Sequence, residues 1–262
     1  MKTISLFALV LLTGCLSFFT GCDDDDYLPL KLSYPDENGT FDNEARTLSI
    51  TPFSTGTTLV IKGGDGSYRI DNKNKEVVAV SQEGNKMVFT PMAVGSATVI
   101  IQDNSDRSYE LSVEVKYSRG TLSVFAQHAV IKGDNITAGD KQKLEEEILK
   151  SIPVKPGGKY ILIFSNENTS EGEVEIYPSE STGPVKGTFK RERKPIEEGL
   201  SYEEYTIRTE KNTYTYIFTN YNSGLRSTER VRLMFAEEVT DRYKEKYPEL
   251  EKAYAVQGLI GQ

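Results

Sequence analysis

The chain has 262 residues, with 39 acidic against 31 basic side chains and a formal net charge of -8 at pH 7. That balance excludes the basic surface that nonspecific nucleic-acid binding needs, so no nucleic-acid partner is expected. Both cysteines, Cys15 and Cys22, fall in the first 22 residues, so the rest of the chain has neither a disulfide nor a thiolate metal site.

The remainder must be held by a hydrophobic core, and this length can supply one large domain or two ordinary ones. Tyr (15) and Phe (11) are common and Trp is absent. A chain rich in Tyr and Thr reads as mostly β.

At the N-terminus Lys2 forms a short positive region. The apolar "ISLFALVLL" behind it has the length of a signal-peptide core. The whole span from Ile4 to Thr20 could also cross a bilayer, so an uncleaved anchor is the competing reading. "LTGC" (Leu12–Cys15) and "FTGC" (Phe19–Cys22) both resemble the lipobox of bacterial lipoproteins. That resemblance implies cleavage before a cysteine that then carries lipid.

The second copy is followed by Asp23, Asp24, Asp25 and Asp26. Cysteine followed by an acidic run is similar to the export signal of surface lipoproteins in Bacteroidetes. The resemblance implies a signal peptide over 1–21, lipidation of Cys22 and Asp23–Asp26 as export signal. It also implies an outer-membrane anchor facing the cell exterior. The aspartate run lacks the spaced ligands and glycine turn of a calcium loop, so no metal is expected there.

Residues 22–44, with two prolines and many polar side chains, read as an acidic tether. From residue 45 to 117 short strands alternate with turns: "TLSI", "TTLVIKGG", "YRI", "VVAVS", "KMVFTP", "ATVIIQD" and "SYELSVEVKY". In the last of these Tyr109, Leu111, Val113, Val115 and Tyr117 alternate with polar residues, the pattern of a half-buried antiparallel strand. About seven such strands suggest a β-sandwich. "VVAVSQEGNKMVFTPMAVGSATVIIQD" resembles a bacterial Ig-like domain of the group 2 type. That resemblance implies the sandwich fold and an extracellular setting, and it implies no ligand.

Residues 118–262 change character. "DKQKLEEEILKSI" is helical, with Leu144, Ile148 and Ile152 on one stripe, and Pro153 stops it. Strands surround it: "TLSVFAQHAVI", "KYILIFS", "GEVEIYP", "VKGTFKRE", "EEYTIRT", "NTYTYIFTN", "ERVRLMFAEE" and "KAYAVQGLI". "TDRYKEKYP" reads as a second short helix with Thr240 as N-cap. The expectation is an α+β domain with a mostly antiparallel sheet and about two helices.

The chemistry of this chain is thin. Its one histidine, His128, rules out HExxH and any two-histidine metal site, and it sits in a strand as a plain surface residue. Neither GxSxG nor SxxK occurs. "PGGK" lacks the first glycine and the hydroxyl of a phosphate loop, and "GGDG" (Gly63–Gly66) belongs to a β-turn. No carboxylate pair is singled out for a glycoside hydrolase. No cofactor and no catalytic residue are expected.

Two features remain as ligand candidates. Lys186, Lys190 and Lys194 share one face of a strand, and Arg191 and Arg193 share the other. Glu171, Glu173 and Glu175 occupy the strand before it. The group reads either as a hairpin paired acid to base or as a basic patch for an anionic polymer. Tyr214 and Tyr216 align with Phe218 as either a core row or a sugar-stacking face. The candidate ligand-binding residues are therefore Tyr214, Tyr216, Lys190, Arg191 and Arg193.

The functional expectation is a non-catalytic surface lipoprotein acting in binding or adhesion, with the Ig-like domain as its stalk. Its partners would be the outer membrane, through the lipid, and a glycan or a surface protein. The alternative is a glycan-capture accessory lipoprotein of an outer-membrane uptake system, on a layout similar to that of starch-utilisation surface lipoproteins. A glycan-active hydrolase is the least favoured reading.

Overall fold

The computed structural model describes residues 28–36, 39–196, 201–220 and 232–261. The expected signal peptide, Cys15, Cys22 and Asp23–Asp26 lie outside the described residues. The chain divides into two compact units, Met1–Val115 and Lys116–Gln262.

Among its described residues the first unit holds eight strands: β1 (Lys31–Ser33), β2 (Thr47–Ile50), β3 (Thr57–Lys62), β4 (Tyr68–Asn72), β5 (Val78–Glu83), β6 (Lys86–Pro91), β7 (Gly95–Asp103) and β8 (Ser108–Val115). They form two four-stranded sheets, ordered β1-β3-β6-β5 and β2-β8-β7-β4. All pairs are antiparallel except β2 with β8. Leu59, Ile61, Met87 and Phe89 from the first sheet share one core with Val99, Ile101, Leu111 and Val113 from the second. Each such side chain contributes roughly 1.5–3 kcal/mol on burial. In β8 the alternation puts Tyr109, Leu111, Val113 and Val115 inside.

The expectation of a tether over 22–44 needs correction from Leu30 onward. β1 pairs with β3, Leu32 lying opposite Ile61, and Leu30, Leu32 and Phe41 are buried in the core. Asn43 completes this edge: its Oδ1 accepts from Leu32 N–H at 2.8 Å and its amide donates to Leu32 O at 2.9 Å. Pro29 and Pro35 flank β1 and mask it as a linker, although an edge strand tolerates proline. The chain before β1 also passes close to the turn after β3. A Cβ on Gly63, whose φ is +79°, would lie 2.4 Å from Pro29 O.

The second unit contains β9 (Arg119–Lys132), α1 (Ala138–Ser151), β10 (Lys159–Phe164), β11 (Glu171–Tyr177), β12 (Val185–Pro195), β13 (Ser201–Thr209), β14 (Thr213–Asn220), β15 (Arg232–Glu238), α2 (Thr240–Tyr243) and β16 (Lys252–Gly261). Its strands are antiparallel and its helices number two among the described residues, as expected of an α+β unit. The sheet is not open, however. It closes into an eight-stranded barrel in which each strand pairs with the next and β16 pairs with β9.

Closure comes from the length of β9. Residues Arg119–Ser123 pair with β10, while Leu122–Lys132 pair with β16. Strand patterns give neighbours along the chain but not this long-range pairing, and closure removes the exposed edges an open sheet would leave.

Helix α1 starts at Thr137, whose Oγ1 accepts from Asp140 N–H at 3.1 Å. Its Leu144 and Ile148 pack with Ala129 and Ile131 of β9 and with Ala253 and Ala255 of β16. Thr240 is not the N-cap of α2, because Val239 precedes the helix and Thr240 is its first residue. The Thr240 hydroxyl instead accepts from Ala253 N–H at 3.0 Å, which ties α2 to β16. His128 is exposed on β9, opposite Val256.

Candidate functional site

Eight strands enclose a space that side chains can fill, and this barrel is filled by rings. Tyr216 stacks on Phe235 with centroids 4.6 Å apart and planes within 12°. Tyr160 and Tyr205 meet Phe235 at 5.5 and 5.3 Å. Phe189 stacks on Tyr205. The row Tyr214–Tyr216–Phe218 therefore faces inward, because aromatics gain most by burial and alternate residues share one face.

The buried phenols are satisfied internally. Tyr160 donates to Gln257 Oε1 at 3.0 Å, and its oxygen lies 3.4 Å from that of Tyr216. Burial pushes both phenols well above their usual range, so they remain protonated hydrogen-bonding groups. Glu237, also buried, pairs with Arg242 of α2. Burial raises its carboxyl above the ordinary value and Arg242 opposes that rise.

The five sequence candidates separate into different environments. Tyr216 is 1% exposed and is part of the core, so it cannot touch a ligand at the surface. Lys190 points outward, opposite Glu171 in the ladder, and forms an ion pair with Glu192. Lys194 pairs with the same Glu192 at 2.7 Å and with Glu204 at 3.7 Å. Glu192, held between two ammonium groups, has its carboxyl pulled down to about 2.

Arg191 and Arg193 alternate in phase with inward-facing Phe189. Arg191 lies 3.7 Å from Glu203 and donates to Thr169 Oγ1 at 3.0 Å. Arg193 donates to Ser201 and lines a cleft with Phe218 at the end of β12 away from its Val185 start. The acid-to-base hairpin is present in the register, with Glu171 opposite Lys190 and Glu175 opposite Lys186. The local charge of Lys190, Arg191 and Lys194 is balanced by glutamates.

Tyr214 differs from the other four. It is half-buried, and it lines a cleft of about 530 Å³ at the opposite end of the barrel. Three connections frame that cleft: α1 to β10, β11 to β12 and β13 to β14. Each is fixed by short backbone bonds. Lys155 N–H donates to Pro178 O at 2.9 Å, joining the first connection to the second. Thr209 N–H donates to Asn212 O at 2.8 Å, and Asn212 N–H returns to Thr209 Oγ1 at 3.0 Å.

The cleft walls are Pro153, Ile176, Pro178 and Val185, and Lys186 and Lys211 also line it. Partial burial raises the pKa of the Tyr214 phenol, and the neighbouring Asn212 side chain opposes that rise. Tyr214 lies parallel to Tyr216, 6.0 Å away and within 12°, so it is the outermost ring of a stack whose inner members are fixed.

Sequence reasoning named Tyr214 and Lys186. It missed Lys211 and the apolar walls, which come from three turns far apart in the chain. There Pro153 reads only as the stop of a helix, and Pro178 only as the end of a strand. No protein-family model matches the chain, and no curated protein matches it.

Proposed function

We propose that this chain is a non-catalytic binding protein of the cell exterior, held at the outer membrane by lipid on Cys22. Residues 45–117, together with β1, act as an Ig-like stalk. The barrel is the ligand-contacting unit, and its contact point is the Tyr214 cleft. The observation that carries this reading is Tyr214 itself, a half-exposed ring at the end of a fixed aromatic stack inside a concave, mostly apolar site. A cleft of a few hundred cubic ångströms with few convergent polar groups is the usual form of a small-ligand site. The barrel interior is occupied by its own side chains, which favours contact at an end over a ligand carried inside. Capture of a glycan for uptake is the narrower alternative, favoured by the same exposed ring.

The test is an array carrying both glycans and surface proteins, probed with the wild type and with Tyr214→Ala. Binding that Tyr214→Ala weakens about tenfold or more supports the reading. Array binding that ignores this substitution, or no binding at all, refutes it. The anchor is tested separately by metabolic palmitate: Cys22→Ala should lose the label and Cys15→Ala should keep it. Deletion of Asp23–Asp26 should leave the protein lipidated but absent from the cell surface.

A further inference from the structure

We infer that the Tyr214 cleft is built for an acidic saccharide, a sugar chain bearing uronic-acid carboxylates. This rests on the cleft being the binding site, as argued above, and adds the class of ligand. The first support is the stack. Tyr216 and Phe235 are buried, and Tyr214 lies parallel to Tyr216 at the outer end of their stack, which reduces the rotamer freedom lost when a ligand packs against it. A ring with a polar tip and an apolar face suits the C–H face of a pyranose.

The second support is charge. Lys186 and Lys211 are both exposed and line the cleft from two different turns. Among the described residues neither is in an ion pair, in contrast to Lys190, Lys194 and Arg191. Lys186 lies opposite Glu175 in the ladder, but that carboxylate approaches Arg119, at 4.0 Å. Glu210 also lines the cleft, so two ammonium groups face one carboxylate there. The local sign is positive on a chain whose net charge is -8.

The third support is the kind of cation. Two flexible lysines on separate turns offer separated point charges, which suit anions spaced along a chain better than one anion gripped by a single fork. The cleft thus combines an apolar face for a ring with separated cations for carboxylates on that ring or its neighbour. Val185, at 45% exposure, leaves one wall open to solvent, as a chain longer than one sugar requires.

The experiment is calorimetric titration of the full chain in detergent with tetragalacturonate and with the neutral galactose tetrasaccharide. The acidic chain should bind, and the neutral one should bind about tenfold more weakly. The combined Lys186→Gln and Lys211→Gln variant should erase that difference, and added salt should do the same to the wild type. Val185→Asp places a carboxylate at an exposed wall without touching the core, and it should abolish acidic binding with the thermal transition unchanged.

Equal binding of the two tetrasaccharides overturns the inference. So does acidic binding that survives Val185→Asp, or competition by an acidic peptide that no saccharide reproduces. If neither tetrasaccharide binds, while an array ligand still requires Tyr214, the ligand class fails and the cleft remains the site. If Tyr214 proves irrelevant on the array, the site itself fails.

Discussion

The two folded units are both antiparallel β structures, yet they fill their interiors differently. The sandwich packs Leu59, Ile61, Val99, Ile101, Leu111 and Val113 at its centre, with Phe41, Phe89 and Tyr109 as its buried rings. Its one buried charged side chain among the described residues, Asp103, lies at the end of β7, where Oδ1 accepts from Ser105 and Arg107 N–H at 3.0 Å each. The barrel instead packs Tyr160, Tyr205, Tyr216, Phe189 and Phe235, and it carries Gln257 and Glu237 inside with them. Aliphatic cores tolerate rearrangement at nearly constant energy, whereas rings and buried phenols must satisfy both shape and hydrogen bonds. The difference suits the roles proposed: a stalk needs only to be stable, while a contact surface needs one ring held in one place.

The strongest way to break this contrast is to remove one large side chain from each unit. Phe235→Ala should destabilise the barrel by about 3–5 kcal/mol and Leu111→Ala the sandwich by about 2–5 kcal/mol. Circular dichroism during urea unfolding should show each change shifting one transition and leaving the other in place. If either substitution moves both transitions equally, the units do not unfold independently and the contrast loses its meaning.

A smaller effect sharpens it. Tyr160→Phe keeps the ring but leaves Gln257 Oε1 buried without its donor, which should cost about 1–3 kcal/mol. Ile101→Val in the sandwich removes one methylene and should cost about 0.5–1.5 kcal/mol. A neutral Tyr160→Phe would show that the internal hydrogen bonds contribute nothing to order in the barrel.

The smallest expected effect is on pH dependence, and two carboxylates of the barrel should act with opposite signs. Glu237 has its pKa raised by burial, so its protonated form favours the fold. That contribution is complete below its ordinary value near 4.5 and is lost as pH rises through the folded value. Glu192 is pulled down to about 2 by Lys190 and Lys194, so its contribution is present above about 4.5 and fades as pH falls toward 2. Urea titrations should show Glu237→Gln flattening the loss on the alkaline side of 4.5, and Glu192→Gln flattening the loss on the acid side. Exchange of these two slopes would contradict the burial assigned to Glu237 and the ion pairs assigned to Glu192.

Local pattern explains how much of this could be read in advance. The alternation Tyr109–Val115 and the stripe Leu144–Ile148–Ile152 are properties of one segment, and both appear as the periodicities require. β1 was hidden because three residues between prolines carry too little periodicity to register. Barrel closure was hidden because nothing in "KAYAVQGLI" names "TLSVFAQHAVI" as its partner across the intervening strands. The inward turn of Tyr216 follows from alternation, while the partial exposure of Tyr214 depends on where the β13–β14 turn falls. The cleft walls were illegible for the same reason as closure: Pro153, Pro178 and Val185 meet only in three dimensions.

Closure of β16 onto β9 also has a consequence for how the protein is made. The first and last strands of the barrel must find each other after every other strand has been laid between them. This is a pairing of high sequence separation and correspondingly slow formation. Until it forms, β9 and β16 both present unpaired edges, the state in which strands recruit strands from other chains. A factor that shields strand edges would therefore act on this molecule until β16 pairs with β9, and that closing step would end its need.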